Sequence, residues 1–553
     1  MTLADDPEGI YQVWMPMQVT PSGDKKTTVI WVDGIQIEYG TKATPVTASA
    51  PTTIACLSPD GDPEDHLYLR GQKPHVQVMS QCEKAVSAPW TVVDVWGMQI
   101  AEGTLALPAG LGRQVMDLPT PALGAFKLSL RAPGGASGSK PLAEHIYHIL
   151  PRQAEAAYQP NSPFGLHLLS NDYSMNLASK LGARWVRLFG ALTWNTLEPK
   201  AGTWTTEEAR AIIDRYAARK LLVMPVLTGT PARYCLPAEQ GSSHVPADDQ
   251  VLATWMDVLK GLDGPAIGAW EIWNEPNLGD EFKAPKGIDK KDAYIDFSKR
   301  MYVMLKARSS KPIVNQLSAA NFDDGWMADM LGRGFAANAD VISYHNYLAQ
   351  NDPLESGLDK HVDGWNTAMK STGRVDPLVM SEGGICGTGA VASWYERMPK
   401  GVNGTVVDEA SLTVRTMVAN LGLGMQRVFL YHAYGDSPRW GETGTSDFWG
   451  AFLEGDGVPK PSCTAYAVLT WQLEGKPFDR KLRPDDRTWC HVFRGSGGAV
   501  AVCWSDDGEA KPVTVPFSTK GAVDMMGNPL QVTAAGTGTV VQLDRNPIYL
   551  QLR

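Results

Sequence analysis

Apolar and polar positions along this chain fall into three successive patterns. From the N-terminus to about residue 152 they alternate singly, as in Val29-Ile-Trp-Val32 and Ile35-Gln-Ile-Glu-Tyr39 on either side of Asp33-Gly34, the signature of a two-residue hairpin turn. Residues 75–79, 91–96, 126–130 and 145–149 repeat the period of two, separated by Gly- and Pro-containing turns. Short strands with few helical stretches predict an Ig-like β-sandwich. The Gly/Ser-rich stretch 132–139 reads as a loop before its last strand. Asp60, Asp62, Glu64 and Asp65 read as a solvated acidic loop rather than a calcium site.

From Pro163 the pattern changes to continuous apolar runs that alternate with helix-period segments. The runs are 164–168, 184–189, 221–227, 267–275, 313–317, 341–347, 378–382 and 427–431. Helices are expected between them, for example at 207–219, 248–262, 290–308 and 409–421, and a last one at 463–473. Eight strand–helix units predict an α/β chain whose centre is a (β/α)8 TIM barrel. An open doubly wound sheet would carry a glycine-rich phosphate turn after its first strand, and none is present. From about residue 477 single alternation returns, predicting a small C-terminal β-sandwich. The expected domains are 1–155, 156–475 and 476–553.

Composition narrows the function classes. A chain of 553 residues is too long for one core and needs several domains. The formal charge of −10 argues against a nucleic-acid partner. No run of 18 apolar residues suggests a membrane span. The start, Met1-Thr-Leu-Ala-Asp-Asp-Pro, lacks the basic and apolar regions of a signal peptide. Location thus reads as cytoplasmic, or as periplasmic or extracellular if a signal has been removed. Seven cysteines without a Cys-x-x-Cys give neither a disulfide framework nor a zinc site. If 495–498 is a four-residue hairpin loop, Cys490 falls opposite Cys503, either as adjacent thiols or as a cross-strand disulfide. Oligomeric state is not legible.

Two runs end in chemistry. Trp270-Glu-Ile-Trp-Asn-Glu-Pro-Asn277 delivers Glu275 to the carboxyl end of the fourth strand, where Pro276 ends the ladder. Pro377-Leu-Val-Met-Ser-Glu-Gly-Gly384 does the same for Glu382 on the seventh. Barrel sites lie at the carboxyl ends of strands. Strict alternation would place Glu275 on the inward face with Trp273 and Glu271, and Glu382 with Met380 and Leu378. Two carboxyl groups facing one mouth suit glycoside hydrolysis, with one acid kept protonated by partial burial.

Trp-Asn-Glu-Pro on the fourth strand and Ser-Glu-Gly on the seventh resemble the acid/base and nucleophile strands of clan A retaining glycoside hydrolases. The chain looks closest to glycoside hydrolase family 39 and related polysaccharide hydrolases. That resemblance covers roughly residues 160–475. It implies Glu275 as acid/base and Glu382 as nucleophile, with a carbohydrate substrate, β-type (equatorial) bonds and no cofactor or metal. It implies that Asn274 binds the hydroxyl beside the reacting carbon and that Arg187 keeps the nucleophile ionised. For Arg187 the plainer alternative is an interior ion pair with Glu271. His345, Tyr347 and His167 resemble substrate-contacting residues, and Tyr347 resembles the donor to the nucleophile. One departure concerns the eighth strand, where many members carry a tryptophan as the floor of the central sugar subsite. Here His432 stands in its place, and Trp449, with Trp440 and Phe448, is the candidate substitute platform. Two other readings use the same scaffold: a transglycosidase and a non-catalytic carbohydrate-binding barrel. A metal-dependent hydrolase lacks a His-x-His pair. Sugar, linkage and exo or endo action depend on loop shape.

Overall fold

The computed structural model describes residues 52–57, 66–132, 134, 140–155, 157–168, 170–235, 243–246, 248–279, 281–318, 324–347, 357–384, 405–431, 434–435, 452–454 and 458–553. The 29–39 hairpin, the acidic loop from Asp60 to Asp65, most of the 132–139 loop, and His432, Trp440, Phe448 and Trp449 lie outside the described residues.

The eight apolar runs form a closed parallel barrel: β1 (Phe164–His167), β2 (Trp185–Leu188), β3 (Leu222–Leu227), β4 (Trp270–Ile272), β5 (Ile313–Ser318), β6 (Val341–His345), β7 (Leu378–Glu382) and β8 (Arg427–Tyr431). Strand β8 pairs with β1 and closes the ring. Helices α1 (Asp172–Leu181), α2 (Glu207–Ala218), α3 (Asp249–Leu262), α4 (Lys290–Lys306), α5 (Asp324–Gly332), α6 (Leu358–Ser371), α7 (Val406–Gly422) and α8 (Pro461–Leu473) follow the strands. Local signals fix their ends. Asn171 accepts from Ser174 N at the start of α1, Gly182 ends it at φ 80°, and Thr405 with Asp408 forms a capping box on α7.

Side-chain alternation sorts each strand into two faces. Val186, Leu188, Trp270, Ile272, Ile342 and Tyr344 belong to the large core under the helices. Their neighbours Trp185, Leu222, Met224, Ala269, Val314, Val341, Val379 and Phe429 form a separate cluster that fills the barrel interior. Gly165 makes room for this filling, since a Cβ there would lie 2.5 Å from the Phe429 ring.

Outside the barrel the N-terminal region contributes a five-stranded and a three-stranded sheet, and the C-terminal region a six-stranded and a three-stranded sheet. The strands expected at 75–79, 126–130 and 145–149 are present and longer, as His75–Cys82, Gly124–Leu130 and Ala143–Leu150. The one expected at 91–96 is shifted to Val86–Asp94, because Asp94 and Gly97 close a turn beneath Trp96. In the C-terminal region Cys490 pairs with Cys503 in register, and both are buried free thiols. The ladder extends one step further than the four-residue loop would allow: Gly495 pairs with Gly498, leaving Ser496-Gly497 as the turn.

Helix α8 joins the parts. Twelve of its residues are buried, all but Trp471, as expected of a helix enclosed on every side. His148 of the N-terminal region contacts Thr464 Oγ1 at 2.9 Å and the Pro459 carbonyl at 3.0 Å, and Gln153 donates to Ala467 O. A Cβ on Gly527 would meet Leu123 and Val468, so all three parts touch there. No helix among the described residues is long and apolar enough to cross a membrane.

Candidate active site

The interior polar residues sit one step above the apolar filling, at the carboxyl ends of the strands. Arg187 on β2 is fully buried and makes three charge-assisted or polar contacts. Its Nε donates to Glu271 Oε2 at 2.5 Å, Nη1 to Glu382 Oε2 at 2.5 Å, and Nη2 to Asn274 Oδ1 at 2.9 Å. Arg187 thus pairs with Glu271 in the interior and with Glu382 at the mouth at the same time. Ser343 on β6 donates to the other oxygen of Glu271 at 2.6 Å.

Glu382 gathers the remaining polar groups. The Tyr347 hydroxyl donates to its Oε1, and His167 Nδ1 lies 3.3 Å from its Oε2. His345 Nδ1 lies 2.8 Å from Glu275 Oε1 and 3.8 Å from Glu382 Oε1. Glu275, His345 and Glu382 place one donor atom each within 4.8 Å of one another. The same three groups could be drawn around a cation, but the Arg187 guanidinium already sets a fixed positive charge against Glu382. That charge opposes a metal ion there.

Electrostatics separates the groups. Burial by itself raises the Glu382 carboxyl, but His345, His167 and Arg187 outweigh it and hold the group well below the usual carboxylate range. The Tyr347 phenol is pushed well up, by burial first and then by Glu382, so it remains a proton donor. Arg187 is raised despite its burial, because Glu271 and Glu382 favour its charge.

Strict alternation does not place the two glutamates, and here the sequence reading needs correction. Strand β4 ends at Ile272, and Trp273 and Glu275 both have left-handed backbones, φ 66° and 47°. Such a conformation costs an L-residue about 1–2 kcal/mol. It turns the Trp273 ring away from the mouth to pack edge-on against Phe282 and Phe297, with Nε1 donating to Glu281 O. Asn274 and Glu275 both reach the mouth, which no regular strand allows. On β7, Leu378 and Met380 face the helices with the large core, not the interior. Tyr344 pairs with Met380 and His345 with Glu382, so Ser381 is an extra residue. That bulge reverses the phase and brings Glu382 inward.

Three further residues of the site were not picked out from sequence. Tyr431, two positions past Phe429 on β8, packs edge-on against His167 at 4.9 Å and Tyr347 at 6.1 Å. Its phenol is raised by burial and by Glu382 and Glu275. Gln316 on β5 accepts from Glu275 N at 2.5 Å. Ser343 shares the inward face of β6 with His345. Inward spacing of two along β6 and β8 was the available signal for Ser343 and Tyr431.

No known family model matches the chain, and no curated protein matches it. Solved structures do. A family 39 glycoside hydrolase from the gut symbiont Bacteroides cellulosilyticus WH2 aligns with TM-score 0.65 and 18% identity, covering 88% of this chain and 99% of that one. A family 51 arabinofuranosidase from Xanthomonas axonopodis pv. citri aligns with TM-score 0.50 and 12% identity, covering 72% and 97%. The chain thus has the fold of a parallel eight-stranded barrel enzyme with β-rich additions, similar to that of a family 39 glycoside hydrolase. With the first of these the likeness reaches beyond the barrel.

Proposed function

We propose that this chain is a retaining glycoside hydrolase that cleaves β-type (equatorial) bonds of an oligo- or polysaccharide by double displacement. The observation that carries the reading is the pair of carboxyl groups at the barrel mouth, with oxygens of Glu275 and Glu382 no more than 4.8 Å apart. A retaining pair stands about 5–5.5 Å apart, against roughly 6.5–9.5 Å for an inverting pair that must admit a water.

In the first step a Glu382 oxygen attacks the anomeric carbon, the glycosidic bond breaks, and the Glu275 carboxyl gives its proton to the leaving oxygen. In the second, Glu275 takes a proton from water as the water oxygen displaces Glu382 from the sugar. Arg187, His167 and Tyr347 keep Glu382 ionised and oriented between steps. Asn274, held by Arg187, is positioned for the neighbouring hydroxyl, and His345 bridges the two carboxyl groups. His432 and Trp449, which follow β8 in the sequence, remain proposed sugar contacts. The likeness of the fold to glycoside hydrolases supports a carbohydrate substrate.

The flanking regions, 1–155 and 476–553, are on this reading two-layer sandwiches around 156–475. In support, strands of the N-terminal three- and five-stranded sheets share one apolar cluster, including Val76, Val78, Val92 and Leu128. The C-terminal sheets likewise share Val492, Cys503, Val515 and Val541.

The test is a screen of aryl β-glycosides and of plant, algal and bacterial polysaccharides, followed by NMR of the first product formed. Retained anomeric configuration is expected; an inverted product removes Glu382 as nucleophile. Running the screen with and without an acceptor sugar separates hydrolysis from transglycosylation.

A further inference from the structure

The left-handed backbone of Glu275 has a dedicated support. Strand β4 stops at Ile272, so the amide of Glu275 has no ladder partner on β5. Its N–H is accepted instead by the side-chain oxygen of Gln316 at 2.5 Å. Gln316 is fully buried, and every other part of it is also engaged. Its Nε2 donates to Ser318 O at 2.7 Å, and its own carbonyl accepts from the Tyr294 hydroxyl at 2.6 Å. The β5–β6 register slips just there, between Gln316 and Ser318, which sets the Ser318 carbonyl where the amide can reach it. On the other side of the strained peptide the Trp273 indole is anchored to Glu281 O and packed by Phe282 and Phe297. The chain from 273 to 275 is therefore pinned at both ends.

We infer that Gln316 is a positioning residue for proton transfer: it holds the backbone of Glu275 in the one conformation that sets its carboxyl beside His345 and the leaving oxygen. The inference rests on the proposed acid/base role of Glu275. The Gln316 side chain itself is occupied by Glu275 N and Ser318 O and need not touch substrate. Released from this acceptor, a left-handed glutamate relaxes towards an ordinary backbone, and its carboxyl swings away from the reacting oxygen. Nucleophilic attack by Glu382 depends on other strands and is left intact.

The test compares Gln316→Met, which keeps length and loses the acceptor, with Gln316→Glu, which keeps an acceptor oxygen, and with Glu275→Gln. Substrates are the methyl and 2,4-dinitrophenyl glycosides of the sugar that the wild-type chain cleaves best. Gln316→Met is expected to lose about 10- to 100-fold in kcat/KM on the methyl glycoside, the scale of a displaced reacting group. On the dinitrophenyl glycoside, which needs little protonation, it should stay within about threefold. Gln316→Glu should recover most of the loss, and Gln316→Leu, which also lacks the acceptor, takes the place of the methionine variant if that one does not fold. Equal losses on both substrates, no loss on either, or a Gln316→Glu enzyme with the methionine pattern would overturn the inference. If Glu275→Gln itself fails to discriminate between the two leaving groups, the acid/base assignment falls instead.

Discussion

Arg187 donates to Glu382 across the barrel at 2.5 Å while its Nε holds Glu271 at the same distance. One buried cation thus serves two carboxylates, and only one of them faces the mouth. Glu271 has Ser343 on its other oxygen and is sealed in the interior. Glu382 is open to the site. Glu271 balances part of the charge of Arg187, so that Glu382 is held ionised without being locked into a closed pair. Replacing Glu271 by Gln should tighten the grip of Arg187 on Glu382 and slow attack on the sugar, measured as a fall in the rate of glycosyl-enzyme formation in rapid-quench experiments. An unchanged rate would refute this balance.

The two glutamates are expected to fail differently. Glu275→Gln should cripple cleavage of glycosides with poor leaving groups, while activated aryl glycosides still form a glycosyl-enzyme that accumulates for want of a base. Glu382→Gln should abolish both steps on every substrate. Intact-mass spectrometry after mixing with an activated glycoside reads the difference, and an adduct on the Glu382→Gln protein would contradict the roles.

The pH profile follows from the low-lying Glu382 carboxyl. If Glu382 is the proposed nucleophile it must be ionised, so kcat/KM should persist as pH falls through the usual carboxylate range and be lost only below it. The same depressed group contributes stability that is present above its unfolded value and lost as pH falls through its folded one. His167→Ala removes one of the groups that lower it, and its acid limb should move to higher pH. A limb that stays in place would exclude His167 from this task.

Tyr347→Phe removes the donor to Oε1 of Glu382 and leaves the ring. A hydrogen bond to a charged group contributes about 1.5–3 kcal/mol, so kcat/KM should drop on the order of 10- to 100-fold. Circular dichroism should be unchanged. A loss smaller than about threefold would argue that Arg187 and His167 suffice.

Acid should loosen the molecule before it stops the chemistry. Burial lowers His145, His148 and His491 to about 3, with neighbouring positive charge adding to it. Each is neutral when folded and protonates near 6.5 when unfolded, so its stabilisation is complete above 6.5 and is lost as pH falls from 6.5 towards 3. The slope is about 1.4 kcal/mol per pH unit for each such group. His148→Gln should flatten the dependence of Tm on pH over that window, and an unaltered slope would count against it.

The barrel was legible because a parallel strand covered on both faces leaves an uninterrupted apolar run, and eight such runs alternate with helical segments. The half-exposed strands were less so. Gly110–Asp117 was missed because Leu111 and Val115 point to solvent while Gly112, Gln114 and Met116 take the inward positions, so its apolar pattern does not mark a core face. Glu275 and Glu382 were found by their place at strand ends, but their direction was not. Trp273 looked like an inward neighbour of Glu275 and is an outward one, because positive φ and a single-residue bulge are set by packing on Phe282 and Phe297 and by pairing with β6. Neither leaves a mark in an apolar run. Gln316 was equally silent, as its role depends on where a neighbouring strand stops.

Helix α8 carries a consequence for how this chain comes into being. Its surface is covered by segments made long before it, such as Ala143–Leu150, and by others, such as Met525 to Gly527, made after it. On the ribosome the N-terminal strands must wait some three hundred residues for their partner, and α8 must wait again for the last eighty. Expressing residues 156–475 alone would leave that helix bare on two sides. The smallest piece that folds is therefore expected to be close to the whole chain.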